Sequence, residues 1–172
     1  MTRVNPAAPA LRLLCAAFLL ACGPHAGTAP EPVLDGSGME RAVARLVDAH
    51  RAARRLPALA YDTAIAAIAR AHSRDMARRT IPMGHDGFRH RADLVARIIP
   101  FKAFAENVAL NDYPAARTVR VAVTGWLASP HHLENIEGKY DVTGVGIVRA
   151  PDGTYFYTQL FVARGRVTEG RP

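Results

Sequence analysis

The hydrophobic pattern of this chain changes period once, from helical spacing over most of its length to the alternation typical of strands near its end. Thr143–Arg149 and Thr154–Val162 are rich in β-branched and aromatic residues, and Pro151-Asp152-Gly153 between them is typical of a hairpin turn. The apolar patterns ahead of them repeat at helical spacing. Helices first and strands last predict an α+β domain in which about four helices cover a small antiparallel sheet.

Two amphipathic helices are predicted in the first part of the domain. The first runs from Met39 to about Arg54. The second is capped by Asp62 and ends before Pro82. Its polar face carries four arginines, Arg70, Arg74, Arg78 and Arg79. We expect that face to be solvated helix surface, suited at most to anionic phospholipid headgroups.

Two further helices are predicted before the strands. The third covers roughly Arg91 to Ile99 and stops at the proline that follows. The fourth opens at Pro114 and ends at Pro130, with Trp126 on its inward face. Trp126 is therefore expected in the core.

The start of the chain is predicted to be an export signal. Arg3 and Arg12 precede the apolar run Leu13–Ala21, whose nine residues suit a signal peptide and are too few to span a bilayer. The Leu-Leu-Ala-Cys that ends at Cys22 resembles a bacterial lipobox, so residues 1–21 are predicted to be a lipoprotein signal peptide and Cys22 its lipidated residue. The alternative is an ordinary signal peptide cut near Ala21 or Ala26. Both interpretations predict export, the first to a periplasmic or cell-surface lipoprotein held at the membrane.

Residues 22–38 are predicted to be a flexible tether, since they are rich in Gly and Pro, and residues 39–168 are predicted to be the folded domain. Cys15 is the only other cysteine and lies within the signal segment. The predicted domain therefore contains no disulfide, thiolate zinc site or cysteine nucleophile. It has to be stabilised by its hydrophobic core.

The charge of the predicted mature chain gives little support to a nucleic-acid partner. The full chain has 22 basic and 15 acidic residues, a net charge of +7. Without Arg3 and Arg12 there are 20 basic against 15 acidic residues, or +5. The arginine-bearing face of the second helix lacks the interleaved aromatic side chains that single-strand binding uses, and export argues against this partner as well.

Five short segments carry polar residues at positions where an ordinary hydrophobic core would have apolar ones. They are Gly84-His85-Asp86-Gly87, Ala105-Glu106-Asn107-Val108, residues 126–136, residues 143–147 and residues 157–161. Their order and spacing resemble the CAP superfamily, or SCP domains, of cysteine-rich secretory proteins, antigen 5 and plant pathogenesis-related proteins. The bacterial, cysteine-free branch is the nearer likeness, and the resemblance runs from about Met39 to Ala163.

The resemblance implies an α-β-α sandwich with a solvent-facing cleft, in which two histidines and two acidic residues meet. By position these are His85, Glu106 and His132, with Asn107 beside them. The second acidic residue belongs three positions after the helix tryptophan, where this chain has Ser129. The tetrad is therefore incomplete, and catalytic roles for His85, Glu106 and His132 are candidates only.

Some members of the family bind zinc through the histidine pair, which makes His85 and His132 the candidate metal ligands here. Two imidazoles and the Glu106 carboxylate would be a plausible three-ligand set that leaves an open position for water or substrate. The chain contains no HExxH, Gly-x-Ser-x-Gly or phosphate-loop motif. The sequence does not require a cofactor, and the family resemblance suggests zinc as a possible one.

Several of these polar residues also have a purely structural interpretation. His50 and His72 lie on apolar helix stripes and are expected to be packed or hydrogen-bonded. His90 is expected in a solvated loop, because Arg89 and Arg91 flank it, and Asn135 is expected to cap or tie the loop after the fourth helix. Glu106 and Asn107 themselves could serve the fold alone.

The function predicted from these observations is a non-enzymatic binding module of the cell envelope. The family includes sterol and lipid binders, so the resemblance implies a small apolar, lipid-like or peptide ligand in the cleft, and the lipid on Cys22 would supply the contact with the membrane. The alternative is a zinc-assisted hydrolase that acts on peptide bonds or envelope polymer. Fold alone does not decide between them, because binding and catalytic sites are grafted onto folds.

Overall fold

The computed structural model describes residues 36–165. The predicted signal peptide, Cys22 and most of the predicted tether lie outside the described residues, as do residues 166–168 at the end of the predicted domain. The first helix begins at Gly36, so the last three residues of the predicted tether belong to the domain. Among residues 36–165, no helix is both long enough and apolar enough to cross a bilayer.

The described residues form helices with two strands between them, followed by two strands at the end. The helices are α1 (Gly36–Ala53), α2 (Thr63–Ala77), α3 (Phe88–Ala96), α4 (Ala115–Leu127) and α5 (Pro130–Glu137). The strands are β1 (Ala60–Tyr61), β2 (Phe101–Asn111), β3 (Val142–Arg149) and β4 (Tyr155–Arg164). The α+β class is confirmed, with one helix and two strands more than the sequence predicted.

The sheet is mixed, so the prediction of a purely antiparallel sheet was wrong. Its strand order is β1-β3-β4-β2. The β3–β4 hairpin and the β2–β4 pair are antiparallel, whereas the two-residue strand β1 runs parallel to β3. The parallel pair arises because α2 separates β1 from the rest of the sheet along the chain, and a parallel neighbour needs such a crossover.

Helices cover both faces of the sheet. On one face, Val43 and Val47 of α1 and Trp126 of α4 pack with Val145 and Phe161 of the strands. The other face buries α2 and α3 residues against β3 and β4 in a second cluster, which includes Ile65, Val95, Val142, Leu160 and Val162. This is the α-β-α sandwich that the family resemblance implied.

Helix α2 approaches the sheet at backbone distance because β3 carries two glycines on that face. A Cβ atom built on Gly146 would lie 2.0 Å from the backbone nitrogen of Arg70, and one on Gly144 would lie 2.4 Å from the nitrogen of Ala66. Real Cβ atoms do not come this close to backbone atoms. The two glycines therefore set the spacing between α2 and the sheet.

Trp126 occupies the core as predicted. Its side chain is buried, its ring meets Tyr157 edge-on at 6.4 Å between centroids, and its Nε1 donates to the carbonyl of Val108 at 3.0 Å. The hydrogen bond ties α4 to β2, the strand that carries the candidate site. Because the indole N–H is paired, the tryptophan is buried without the cost of an orphaned donor.

The arginine face of α2 is only partly a solvated surface, which corrects the sequence prediction. Arg70 donates to both carboxylate oxygens of the buried Glu40, at 2.7 and 2.5 Å, and Glu40 also accepts from the backbone N–H of Ile147. Arg79 pairs with Asp152 at 2.9 Å. Arg70 thus joins α2 to α1 and the sheet.

The start of α2 offers a direct test of the predicted cap. One Asp62 side-chain oxygen accepts from the backbone N–H groups of Ala64 and Ile65, at 2.8 and 3.0 Å. We expect Asp62→Ala to lower the free energy of unfolding by about 1 kcal/mol, because both donors lose their partner. Asp62→Asn, which keeps a capping oxygen, should retain most of that stability. Urea unfolding of the two variants checks the expectation, and equal losses would contradict it.

Candidate functional site

Glu106 lies in the middle of β2, opposite Leu160 of β4, with its side chain 1% exposed. Arg91 contacts its carboxylate in a bidentate arrangement, Nε to Oε2 at 2.6 Å and Nη2 to Oε1 at 2.7 Å. His85 reaches the same Oε1 through Nδ1 at 2.8 Å. We refer to these three side chains as the polar centre. Both Glu106 oxygens are therefore occupied.

Arg91 also fixes the segment that carries His85. Its Nη1 donates to the carbonyl of Asp86 at 2.6 Å, and its Nη2 donates to the carbonyl of His85 at 3.3 Å. Helix α3 starts after Gly87, whose φ of 76° is in the left-handed region that favours glycine. This turn brings Arg91 back over the loop, so that one guanidinium holds both Glu106 and His85 in place.

The prediction of a solvated loop around His90 was wrong, because His90 and both flanking arginines belong to α3. Arg91 is 6% exposed. Arg91 and Val95 are the two buried residues of that helix, and their four-residue spacing puts them on one face. That spacing is the signal in the sequence that could have identified Arg91.

His85 is the exposed member of the polar centre, with a side chain 53% accessible. Because Nδ1 is held by Glu106, Nε2 is the ring nitrogen available to a ligand. The carboxylate thus orients the imidazole, as carboxylates do for functional histidines in other sites. His85 presents a positioned hydrogen-bonding group to solvent.

His132 lies on α5 and is half-buried. Burial lowers its pKa, and electrostatic repulsion from the neighbouring His85 and His131 side chains lowers it further. Its Nδ1 is buried and makes no hydrogen bond to any of residues 36–165. His132 is therefore held neutral close to His85, and its buried Nδ1 is left without a hydrogen-bond partner.

Two asparagines join α5 to β2 behind the histidines. Asn107 donates from Nδ2 to the carbonyl of His132 at 3.0 Å, and Asn135 donates from Nδ2 to Oδ1 of Asn107 at 2.9 Å and to the carbonyl of Glu106 at 3.2 Å. Asn135 thus ties the segment after α4 in place as expected, but that segment is helix α5 and not a loop. The Asn107 side chain therefore holds the backbone of His132 in place.

Ser129 stands at the position of the missing acidic residue, as the residue before α5. Its backbone carbonyl accepts from Leu133 N at 2.9 Å, but its side chain makes no cap hydrogen bond. Within the described part of the chain, the Ser129 hydroxyl forms no hydrogen bond to His85, Glu106 or His132. The structure brings those three together and leaves Ser129 outside their hydrogen-bond network.

His72 is packed and hydrogen-bonded, as predicted for a histidine on an apolar stripe, but it also borders the polar centre. Its Nδ1 lies 3.1 Å from Oγ1 of Thr158 and 3.7 Å from Oε2 of Glu106. Burial lowers its pKa, and the charge of Arg91 adds to that effect against the opposing charge of Glu106. His72 is therefore a neutral neighbour of the carboxylate.

The lowered pKa of His72 predicts a loss of stability in acid. Unfolded His72 binds a proton near its ordinary pKa of 6.5, whereas the folded chain binds one only at lower pH. Between these two values the unfolded state holds more protons, so the free energy of unfolding falls as the pH falls. We expect urea unfolding to show this loss between about pH 7.5 and about pH 5.

The His72→Gln variant should lose part of that pH dependence, whatever its stability at neutral pH. His90→Gln is the matched control, because His90 is exposed, and it should follow the native chain. An unchanged dependence in His72→Gln would refute the assignment.

The residues present do not fit a three-ligand zinc site. Among residues 36–165, no three His, Cys, Asp or Glu side chains are placed so that they could hold one ion. Glu106, the third ligand suggested by the sequence, already accepts hydrogen bonds from Arg91 and His85 on its two oxygens. The carboxylate orients His85 instead of ligating, which leaves the two imidazoles as the only candidate ligands.

A three-layer domain with a buried strand glutamate, a histidine held on it and a second histidine on the following helix defines an SCP-type protein. Residues 44–161 match the model of the cysteine-rich secretory protein family, CAP, and the chain belongs to that family. No curated protein matches the chain.

Solved structures of bacterial proteins share the fold. An extracellular protein containing an SCP domain from Bacillus anthracis is 29% identical with a TM-score of 0.61, and the match covers 75% of this chain and 41% of that one. An outer surface protein from Borrelia burgdorferi is 20% identical with a TM-score of 0.64, covering 77% and 97%. A cysteine-rich secretory protein from Staphylococcus aureus is 20% identical with a TM-score of 0.61, covering 77% and 40%. The chain thus spans about two fifths of the B. anthracis and S. aureus proteins.

Proposed function

We propose that this chain is an exported cell-envelope protein whose domain binds a small apolar, lipid-like or peptide ligand beside His85 and His132 without catalysing a reaction. The exposed Nε2 of His85 and the ring of the half-buried His132 would give the ligand its polar contacts. Glu106, Arg91 and Asn107 would hold those two histidines in place from behind.

The observation that carries this proposal is the full engagement of the Glu106 carboxylate. A hydrolase needs a base that can take a proton from an attacking water. Glu106 is buried in a bidentate ion pair with Arg91 and is hydrogen-bonded to His85, so neither oxygen is free for that task. The position of a second acidic residue is taken by Ser129, which is not a base of comparable strength. These features favour binding over hydrolysis.

The test compares the native chain with a His85→Ala/His132→Ala variant. Binding of a fluorescent long-chain fatty acid, followed by its emission, should weaken by about tenfold in the variant, because two polar contacts are lost. Circular dichroism should be unchanged, since His85 is exposed and His132 is held through its backbone. Equal binding by both proteins would show that the two histidines do not contact the ligand.

The same two proteins test the alternative function, a zinc-assisted hydrolase. Release of labelled fragments from casein and from envelope polymer should be at background for both, with zinc added or withheld. Hydrolysis by the native chain that disappears in the double variant would overturn the binding proposal. Calorimetric titration with zinc shows separately whether the two imidazoles take up the ion.

Export and membrane attachment rest on the N-terminal sequence and on the matched proteins. The B. anthracis and B. burgdorferi proteins are an extracellular and an outer surface protein, which supports export of this chain too. We propose that Cys22 carries the lipid. Mass spectrometry of the mature protein should find a lipidated N-terminal Cys22, and a terminus near residue 26 without lipid would contradict the anchor.

A further inference from the structure

Both lysines of this arginine-rich chain lie at one pocket. Lys102 and Lys139 are the only two lysines among 22 basic residues. The pocket has a volume of about 310 Å³ and lies among the end of α1, the start of β2 and the segment after α5. We refer to it as the lysine pocket, lined by Arg51, Leu56, Pro57, Lys102, Lys139 and Tyr140 among others.

The wall of the lysine pocket is built on one buried guanidinium. Arg51 donates to the carbonyl oxygens of Pro57 at 2.8 Å, Ile136 at 2.7 Å, Gly138 at 3.0 Å and Tyr140 at 3.2 Å. These bonds join the segment after α1 to the segment after α5. The pocket is therefore held in shape before any ligand arrives, which lowers the ordering cost of binding.

The charge of Arg51 is not cancelled by a carboxylate in contact with it. Its side chain is 1% exposed and its hydrogen bonds go to backbone carbonyls. Burial lowers its pKa, which the negative charge of Asp48 partly opposes. In such surroundings a charge acts over a longer distance than it does in water. The guanidinium therefore contributes a positive potential to the pocket.

The two lysines at the pocket are exposed and unpaired. Within the described part of the chain, neither ammonium forms an ion pair or hydrogen bond. The pocket's remaining basic residue, Arg164, is paired with Asp141 at 2.7 Å, so that pair contributes little net charge. Arg51, Lys102 and Lys139 leave the pocket with a net positive charge of three and with six ammonium protons to donate.

We propose that the lysine pocket binds the phosphate group of a ligand. A phosphate offers the several acceptor oxygens and the negative charge that two ammonium groups at one pocket recognise. Leu56, Pro57 and Tyr140 give an apolar surface for the carbon atoms attached to it. The volume is near the lower end for ligand sites and suits a phosphate with a short organic part, such as a phosphate monoester or one phospholipid headgroup.

The lysine pocket is separate from the histidine site of the proposed function. Lys102 precedes Glu106 by four residues on β2, which corresponds to roughly 13 Å along a strand. A phosphate ligand at the pocket therefore does not require the histidines, and a substitution at one site leaves the other intact.

The test follows the amide NMR signals of Gly138 and Lys139 in the full chain during titration with inorganic phosphate and with glycerol 3-phosphate at constant ionic strength. We expect saturable shifts for the native chain and at least about tenfold weaker binding for Lys102→Ala/Lys139→Ala, since two charge-assisted contacts are lost. Lys102→Arg/Lys139→Arg should retain binding. The α2 control, Arg74→Ala/Arg78→Ala, removes the same charge from an exposed position of α2 and from the exposed residue directly after it, and should bind as the native chain does.

Vesicles distinguish the source of the phosphate. If retention on phosphatidylglycerol vesicles, measured against phosphatidylcholine, falls in the double alanine variant and not in the α2 control, the phosphate belongs to a lipid headgroup. If the double alanine variant and the α2 control are retained equally while glycerol 3-phosphate still saturates the native chain, the bound phosphate belongs to a free phosphate monoester. The proposal is overturned if neither phosphate nor vesicles distinguish the double alanine variant from the α2 control.

Discussion

Arg91→Met is expected to lower the free energy of unfolding by about 3–5 kcal/mol, the cost of removing one partner from a buried ion pair. The substitution leaves the Glu106 carboxylate buried at 1% exposure with His85 as its remaining contact at hydrogen-bond distance. It also removes the hydrogen bonds to the carbonyls of Asp86 and His85. Urea unfolding followed by circular dichroism measures the loss.

Two further variants test whether the loss comes from the unpaired charge of Glu106 or from a general disruption of α3. Arg164→Ala breaks the exposed pair with Asp141 and should cost no more than about 1 kcal/mol. The double variant Arg91→Met/Glu106→Leu should be more stable than Arg91→Met alone, since it leaves no unpaired buried charge. The assignment fails if Arg91→Met costs as little as Arg164→Ala, or if the double variant is the least stable of the set.

Gly146→Ala is expected to cost about 3 kcal/mol, the upper end of the usual range for adding a methyl group to a packed core. The added atom would lie 2.0 Å from the backbone nitrogen of Arg70 and 2.3 Å from the carbonyl carbon of Ala69. Helix backbone does not yield as a flexible side chain does. The helix has to move away from the sheet, which loosens contacts such as that of Ile65 with Leu160. The urea midpoint measures the loss.

Gly125→Ala is the matched control, because it makes the same chemical change where there is room for it. Gly125 is an exposed residue inside α4, and a Cβ built there meets no heavy atom within 4 Å. We expect this variant to gain about 0.5–1 kcal/mol, since alanine favours a helix over glycine. Effects of opposite sign at the two glycines support the close approach of α2 to β3. A loss at Gly146 no larger than 1 kcal/mol or so would contradict it.

The elements that could be predicted from the sequence are those with local signals. The positions of α1, α2 and α4 follow from apolar stripes with a cap such as Asp62 or a helix-opening Pro114, and the β3–β4 hairpin follows from its turn. Strand β2 was missed because its buried middle, Ala105–Val108, contains Glu106 and Asn107 where the pattern expects apolar residues. Helix α5 was missed because Pro130 was interpreted only as the end of α4, although proline also opens helices.

The candidate site was predictable in part because some of its residues lie in recognisable local sequence segments. His85, Glu106 and His132 were identified from short segments in a characteristic order, and the structure links the first two directly and the third through Asn107. Arg91 could not be identified in that way, since its role depends on a partner on another element, fifteen residues away in the chain. A buried ion pair is a property of the tertiary structure, and its two halves look like surface residues when each is considered alone.

The engagement of Glu106 by Arg91 has a consequence for protein engineering. The ion pair lies inside the domain, whereas the side chain of His85 is more than half exposed and His132 is held in place by a hydrogen bond to its backbone carbonyl. Side chains at those two positions can therefore be exchanged for others while the scaffold beneath keeps its stability. Libraries randomised at His85 and His132, with Arg91, Glu106 and Asn107 kept fixed, are a practical route to domains of this fold with new ligand preferences.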